Sequence, residues 1–291
     1  MAKTIDEAFN TFHRWLTPTG TESDKAKSHR ASIEACLKDK FEVKRFFRTG
    51  SFGNGTSISS YSDVDYFASI PNSRLKSDSG LTLRELKNIL DARFPNTGVH
   101  IDTPAVVVPF GDSPSETTEI VPCDFIKREN ECTTYDIPNQ TSGWMRANPE
   151  LHNAYVSLVN NKNGLNKKVK PLIRFIKAWK YYNNVPISSF YLEIFIANYA
   201  YKESSIFYSI DINVIFEQLK SSGLRDISEP MGVSGSITAC KSFSDKATAI
   251  EKLNDAVRRS NNARSAESNK DTEKAIYWWN KVYNDLFPGY Y

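Results

Sequence analysis

Phe47-Arg48-Thr49-Gly50-Ser51-Phe52-Gly53-Asn54-Gly55-Thr56, followed after a short spacer by Ser62-Asp63-Val64-Asp65-Tyr66-Phe67, is the stretch on which the fold of this chain turns. Phe41, Val43, Phe46 and Phe47 form an apolar run that predicts a strand leading into Gly50-Ser51. Asp63-Val64-Asp65 heads a second apolar run. In a strand, residues i and i+2 share a face, so Asp63 and Asp65 stand side by side while Val64 turns to the core. Two carboxylates so close repel unless a cation lies between them. Oxygen donors of this kind suit magnesium, which takes one or two carboxylates together with substrate phosphates. The glycines let the backbone approach a phosphate closely, with N–H groups and the Ser51 hydroxyl as donors.

Toward the N-terminus, Ile5, Phe9, Phe12 and Leu16 recur at helical spacing, and Thr17-Pro18-Thr19-Gly20 ends that helix. A longer helix is expected from about Glu22 to Lys40, with Ala26, Ile33 and Leu37 on one side. Lys25, Lys27, His29, Arg30 and Lys38 lie on the other, either as a solvated face or as a docking surface for an activating RNA. Toward the C-terminus, Leu83, Leu86, Ile89 and Leu90 predict a helix over 80–94. Strands are expected over Val99–Phe110 and Thr117–Ile126, joined by the turn residues Gly111-Asp112-Ser113-Pro114. The second of these strands carries Asp124, and a mixed sheet can bring that residue beside Asp63 and Asp65 as a third carboxylate. Residues 127–147 read as a polar connector anchored by Trp144.

Beyond the connector the pattern is helical. Asn148-Pro149 opens one helix, with Pro suited to a first turn. Residues 166–182 form another, whose buried stripe is Val169, Leu172, Ile173, Ile176 and Trp179. Its opposite stripe is Lys170, Arg174, Lys177 and Tyr181, a cationic row adjoining Lys167 and Lys168. Ser188-Ser189-Phe190 then opens an apolar helix; serine there is an N-cap signal, and a helix N-terminus is also a ready anion site. Helices near 209–222, 245–267 and 271–287 complete the chain, with a Gly/Ser-rich loop over Met231–Ser236.

Composition excludes several classes. With 291 residues, 40% hydrophobic and 12% aromatic, the chain can bury a large core in one or two lobes. Lysine and arginine exceed the acids by only 37 − 34 = 3, too little to argue for nucleic acid on charge alone. Cys36, Cys123, Cys132 and Cys240 are as scattered as His13, His29, His100 and His152, which argues against a zinc site and for reduced thiols. No signal core and no run of about 18 apolar residues occurs, so a cytoplasmic protein with no membrane partner is expected.

The order Gly-Ser, Asp-x-Asp, third Asp, helix lysine and Ser-Ser-Phe resembles the oligoadenylate synthetase and cyclic GMP-AMP synthase group. Within it the chain is most similar to the bacterial cyclic-oligonucleotide synthases of anti-phage signalling systems. No zinc-binding insertion of the animal DNA sensor is visible. The resemblance implies an α+β fold: a bilobal polymerase-β-like nucleotidyltransferase core, a mixed sheet with flanking helices, over residues 1–140, and a helical lobe over 141–291. It implies that Asp63, Asp65 and Asp124 hold two magnesium ions, with manganese as a substitute, and that Gly50 and Ser51 cradle the donor phosphates. Lys177 and Ser189 or Ser188 are then expected on the triphosphate, and Phe190 stacked on the donor base. The implied reaction joins ATP, GTP or pyrimidine NTPs into a cyclic di- or trinucleotide, with the protein acting as a monomer. Two other readings stay open: nucleotide addition to an RNA end or a protein, and a non-catalytic nucleotide- or RNA-binding module.

Overall fold

The computed structural model describes residues 2–61, 63–111, 117–129, 132–228, 230, 232 and 235–291, apart from the side chains of residues 21–23, 25, 26, 129 and 132. The expected turn at Asp112-Ser113-Pro114 and most of the loop from Met231 lie outside them. The elements in chain order are α1 (Ile5–Leu16), α2 (Gly20–Phe41), β1 (Arg45–Arg48), α3 (Gly50–Asn54), β2 (Val64–Ser69), α4 (Ser79–Arg93), β3 (His100–Asp102), β4 (Ala105–Pro109), β5 (Thr117–Glu129), β6 (Cys132–Pro138) and β7 (Trp144–Ala147). They continue with α5 (Pro149–Asn160), α6 (Val169–Tyr182), α7 (Ser189–Lys202), α8 (Tyr208–Ser221), β8 (Ile227–Ser228), β9 (Ser236–Ile237), α9 (Phe243–Ser268) and α10 (Thr272–Val282).

The chain divides into two compact units, residues 18–154 and residues 1–17 with 155–291. The division differs from the expected 1–140 and 141–291 at both ends. Phe9 and Phe12 of α1 explain the N-terminal difference, because both are wholly buried among aromatic rings of the second unit. Phe9 meets Phe175 and Trp279 edge-on at 5.2 Å, and Phe12 meets Phe287 at 5.0 Å. Such rings carry a large apolar area and a geometric preference, and they tie α1 to the C-terminal helices.

In the first unit the sheet runs β1-β2-β5-β4-β3, with β6 paired to the far half of β5 and β7 to β6. Among the described residues of this sheet β2 and β5 pair in parallel and the other pairs are antiparallel. Period-two alternation assigns the faces. Val64, Tyr66 and Ala68, with Ile120, Val106 and Val108, turn toward Ile33 and Leu37 of α2 and Leu83, Leu86 and Leu90 of α4. Asp65 and Phe67 turn the other way, with Val121 and Ala105 joining Phe67 in a smaller cluster.

Two sequence expectations change here. Residues 99–110 form not one strand but a hairpin, β3–β4, folded at Thr103-Pro104; proline lacks the N–H a continuous ladder needs. The polar connector over 127–147 is the end of β5 followed by β6 and β7. Thr133, Tyr135 and Ile137 alternate inward there, a period-two signal diluted by the polar residues between them.

Candidate active site

The loop between β1 and α3 is shaped by contact with β2. The Thr49 N–H donates to the Asp65 carbonyl at 2.9 Å, so the chain enters Gly50 already held against the carboxylate strand. Gly50 adopts φ +55°, and Asp65 Oδ2 stands where a Cβ would be. Only glycine satisfies both conditions. Ser51 follows in the first turn of α3, half-buried, and Gly55 at φ 72° closes that helix.

Across the parallel ladder Asp65 lies in register with Glu119. Glu119 hydrogen-bonds Asp63, and burial, reinforced by the charges of Asp63 and Asp65, pushes its carboxyl up to about 9. Asp102 at the end of β3 adds to the same effect. Three carboxyl groups so placed need positive charge among them, either a proton or a divalent cation. Among the described residues no three His, Cys, Asp or Glu side chains already surround a common point. The fit to a divalent ion therefore rests on the donor chemistry, which is all hard oxygen, and on the mutual repulsion that an ion relieves.

Asp124, expected as the third carboxylate, is not there. It lies five residues beyond Glu119 on β5, roughly 16 Å at the rise of an extended chain, and it pairs with Asp136 of β6. An odd separation along a strand also turns it to the opposite face. Its Oδ2 accepts from Asn72 Nδ2 at 2.8 Å. The sequence contained the signal that selects Glu119. Parallel neighbours that begin together bring strand heads together, so acids heading β2 meet the acid heading Ile120-Val121, not one in the middle of that strand.

In the helical unit, Ser188 caps α7 by accepting from the Tyr191 N–H at 3.3 Å. Ser189, in the first turn, receives Lys180 Nζ at 2.7 Å, and Tyr181 Oη lies 3.3 Å from it. Phe190 is half-buried in the same turn. Lys177 is a correction: it is wholly buried, its Nζ 2.8 Å from Glu193 Oε1. A buried ammonium is retained only with such a partner, and this one links α6 to α7. Lys180, one turn on, is the cation beside Ser189, and nothing in its spacing set it apart from its neighbours in the sequence.

The cations of both basic faces are engaged within the protein, by acids on α2 and by neutral groups on α6. Lys27 pairs with Asp24 at 2.9 Å, Arg30 with Glu34 at 3.2 Å and Lys38 with Glu34 at 2.9 Å, all at helical spacing. On α6, Lys170 donates to Ser157 at 3.1 Å, and Arg174 donates to His13 Nε2 at 2.9 Å and Thr17 at 3.2 Å. No helix among the described residues is long and apolar enough to cross a membrane.

Comparisons with known proteins bear on the fold and the family. The structure of CdnC from E. coli MS115-1 with ATP aligns with a TM-score of 0.70 at 20% identity, over 94% of this chain and 95% of that one. Vibrio cholerae DncV, a cyclic AMP-GMP synthase in complex with the linear intermediate 5' pppA(3',5')pG, aligns at 0.75 and 14% identity, over 96% and 94%. Bradyrhizobium diazoefficiens CdnG in complex with GTP aligns at 0.72 and 12%, over 94% and 97%. These likenesses establish the fold. No curated protein matches the chain in sequence. Residues 3–160 match the model of the Second Messenger Oligonucleotide or Dinucleotide Synthetase domain. With more than half its length covered by that match, the chain is a nucleotidyltransferase and belongs to the family of second messenger oligonucleotide or dinucleotide synthetases.

Proposed function

We propose that Asp63, Asp65 and Glu119 form the catalytic carboxylate set of this synthetase and hold two magnesium ions, for which manganese can substitute. The register of Asp65 with Glu119, together with the hydrogen bond from Glu119 to Asp63, carries the proposal. The family uses divalent metal ions. Such ions supply a lowered pKa for the acceptor hydroxyl and charge neutralisation for the leaving phosphates. A ribose hydroxyl of one NTP attacks the α-phosphate of another; the new phosphodiester bond forms as the α–β phosphoanhydride bond breaks, and pyrophosphate leaves. A second attack within the linear product closes a cyclic di- or trinucleotide, the second messenger of an anti-phage response.

The protein's part is positioning and electrostatics, which dominate transfers at phosphorus. Gly50 and Ser51 bring backbone and hydroxyl donors to the donor phosphates. Ser189, with Lys180 directly on its hydroxyl, serves the triphosphate from the head of α7, where the helix dipole favours anions. Ser188 supports that turn as its cap, and Phe190 offers a ring to the donor base. The neutralised cations of α2 give no support to RNA activation.

The test is incubation of the protein with all four labelled NTPs and magnesium, followed by phosphatase and separation of products. A small phosphatase-resistant product from wild type, absent with Glu119→Ala, supports the assignment. An equal yield from Glu119→Ala overturns it, and label found only on added RNA or on protein overturns the cyclic product.

A further inference from the structure

Asp124 has no place in the chemistry above, and its surroundings suggest another use. It lines a cavity of about 580 Å³ at the opposite end of β2 and β5 from the catalytic acids. That volume lies within the roughly 300–1,000 Å³ typical of small-molecule sites. Lys44, Arg45 and Arg128 lie on its walls, against Asp124 as the one carboxylate among the described lining residues. Arg45 is engaged by Glu150 at 2.5 Å and by Tyr135 Oη at 2.9 Å. Lys44 and Arg128 form no salt bridge among the described residues, although the Lys44 charge is felt by Glu42, and both are exposed. Phe125, whose ring also borders the cavity, is 52% exposed. Strand β5 shifts register between Phe125 and Lys127, and a shift of this kind re-aims side chains at a sheet edge.

These groups match the parts of a nucleotide. Two exposed cations that form no salt bridge among the described residues suit a phosphate. An exposed ring suits a base, since every base has a π face. Among the described residues Asp124 accepts from Asn72 through Oδ2, which leaves Oδ1 to accept from a base N–H. We propose that this cavity is a second nucleotide site, separate from the catalytic carboxylates. It takes a nucleoside monophosphate with its phosphate between Lys44 and Arg128 and its base on Phe125.

The test is equilibrium dialysis of the full chain with labelled GMP and AMP in the presence of a chelator, with ribose 5-phosphate as a ligand lacking the base. The expected result is saturable binding of at least one nucleotide that falls at least tenfold in Lys44→Glu/Arg128→Glu and in Phe125→Ala. It should survive in Lys180→Ala/Phe190→Ala, altered only in the helical unit. Lys44, Phe125 and Arg128 are all exposed, and unchanged melting of the variants confirms that they fold. The proposal is overturned if binding is undetectable, if the groove variants bind as wild type does, or if ribose 5-phosphate binds as tightly as the nucleotides. Because no NTP and no metal are present, this outcome is separate from that of the product assay.

Discussion

Asp65 and Glu119 face each other across the parallel ladder of β2 and β5, each near the start of its strand. Burial of Glu119 among Asp63 and Asp65 is what lifts its carboxyl to about 9. Changing Glu119 to Gln keeps the shape and removes the ionisable group. Turnover of NTPs should fall more than about 100-fold, beyond the 10–100-fold that outer-shell partners of a metal cost. Asp124→Asn, at the far end of the strand, should leave turnover close to wild type. Initial rates of pyrophosphate release from both variants check the pair.

Gly50 tolerates no side chain. An alanine there meets Asp65 Oδ2 and is also held at φ +55°. The backbone conformation alone costs about 1–2 kcal/mol, and relief of the clash displaces the Asp65 carboxylate, which is proposed to be catalytic. Gly50→Ala should therefore lower stability by roughly that amount while product formation becomes undetectable. Urea denaturation and the product assay on the same preparation separate the two effects.

Lys177 and Lys180, one turn apart on α6, should behave differently. Lys177→Met removes the buried cation beside Glu193, and breaking a buried pair in this way costs about 3–5 kcal/mol. Lys177→Met/Glu193→Leu replaces both charges with apolar groups and should recover most of that loss. Lys180 is half-buried and donates to Ser189, so the effect of Lys180→Ala should fall on NTP affinity, as a raised KM with a melting temperature near wild type. Thermal melts and steady-state kinetics of the three variants distinguish the roles.

Legibility in the sequence followed the physics of each signal. Gly50-Ser51 and Asp63-Val64-Asp65 were readable because turn chemistry and strand alternation are local. The apolar stripe of α6 was readable because period 3.6 is local as well. Glu119 was missed because a third carboxylate is set by register between strands distant in sequence, and Asp124 sat in an equally apolar setting. Lys177 was placed on a cationic stripe that spacing supports, but the depth of a side chain depends on the neighbouring helix, and Glu193 draws it inside. The strands β6 and β7 were hidden by polar residues on their open face. The place of α1 depends on Phe9 and Phe12 meeting rings more than 150 residues away, as in the Phe9–Phe175 pair.

His13 gives the fold a dependence on pH. Its Nε2 accepts from Arg174 Nη1 at 2.9 Å, which requires a neutral ring, since protonation would set two cations against each other. Burial, and then the Arg174 charge, lower its pKa from the ordinary 6.5. The sign follows from linkage. As pH falls below that ordinary value the unfolded chain takes up a proton before the folded chain does, so stability is full above it, is lost as pH drops toward the folded pKa, and levels off below that. His13→Gln can still accept from Arg174 but does not titrate. As pH falls from about 6.5 toward the folded-state value, wild type should lose stability relative to the variant. Urea midpoints across that range check the difference, and identical slopes for the two proteins would refute the assignment.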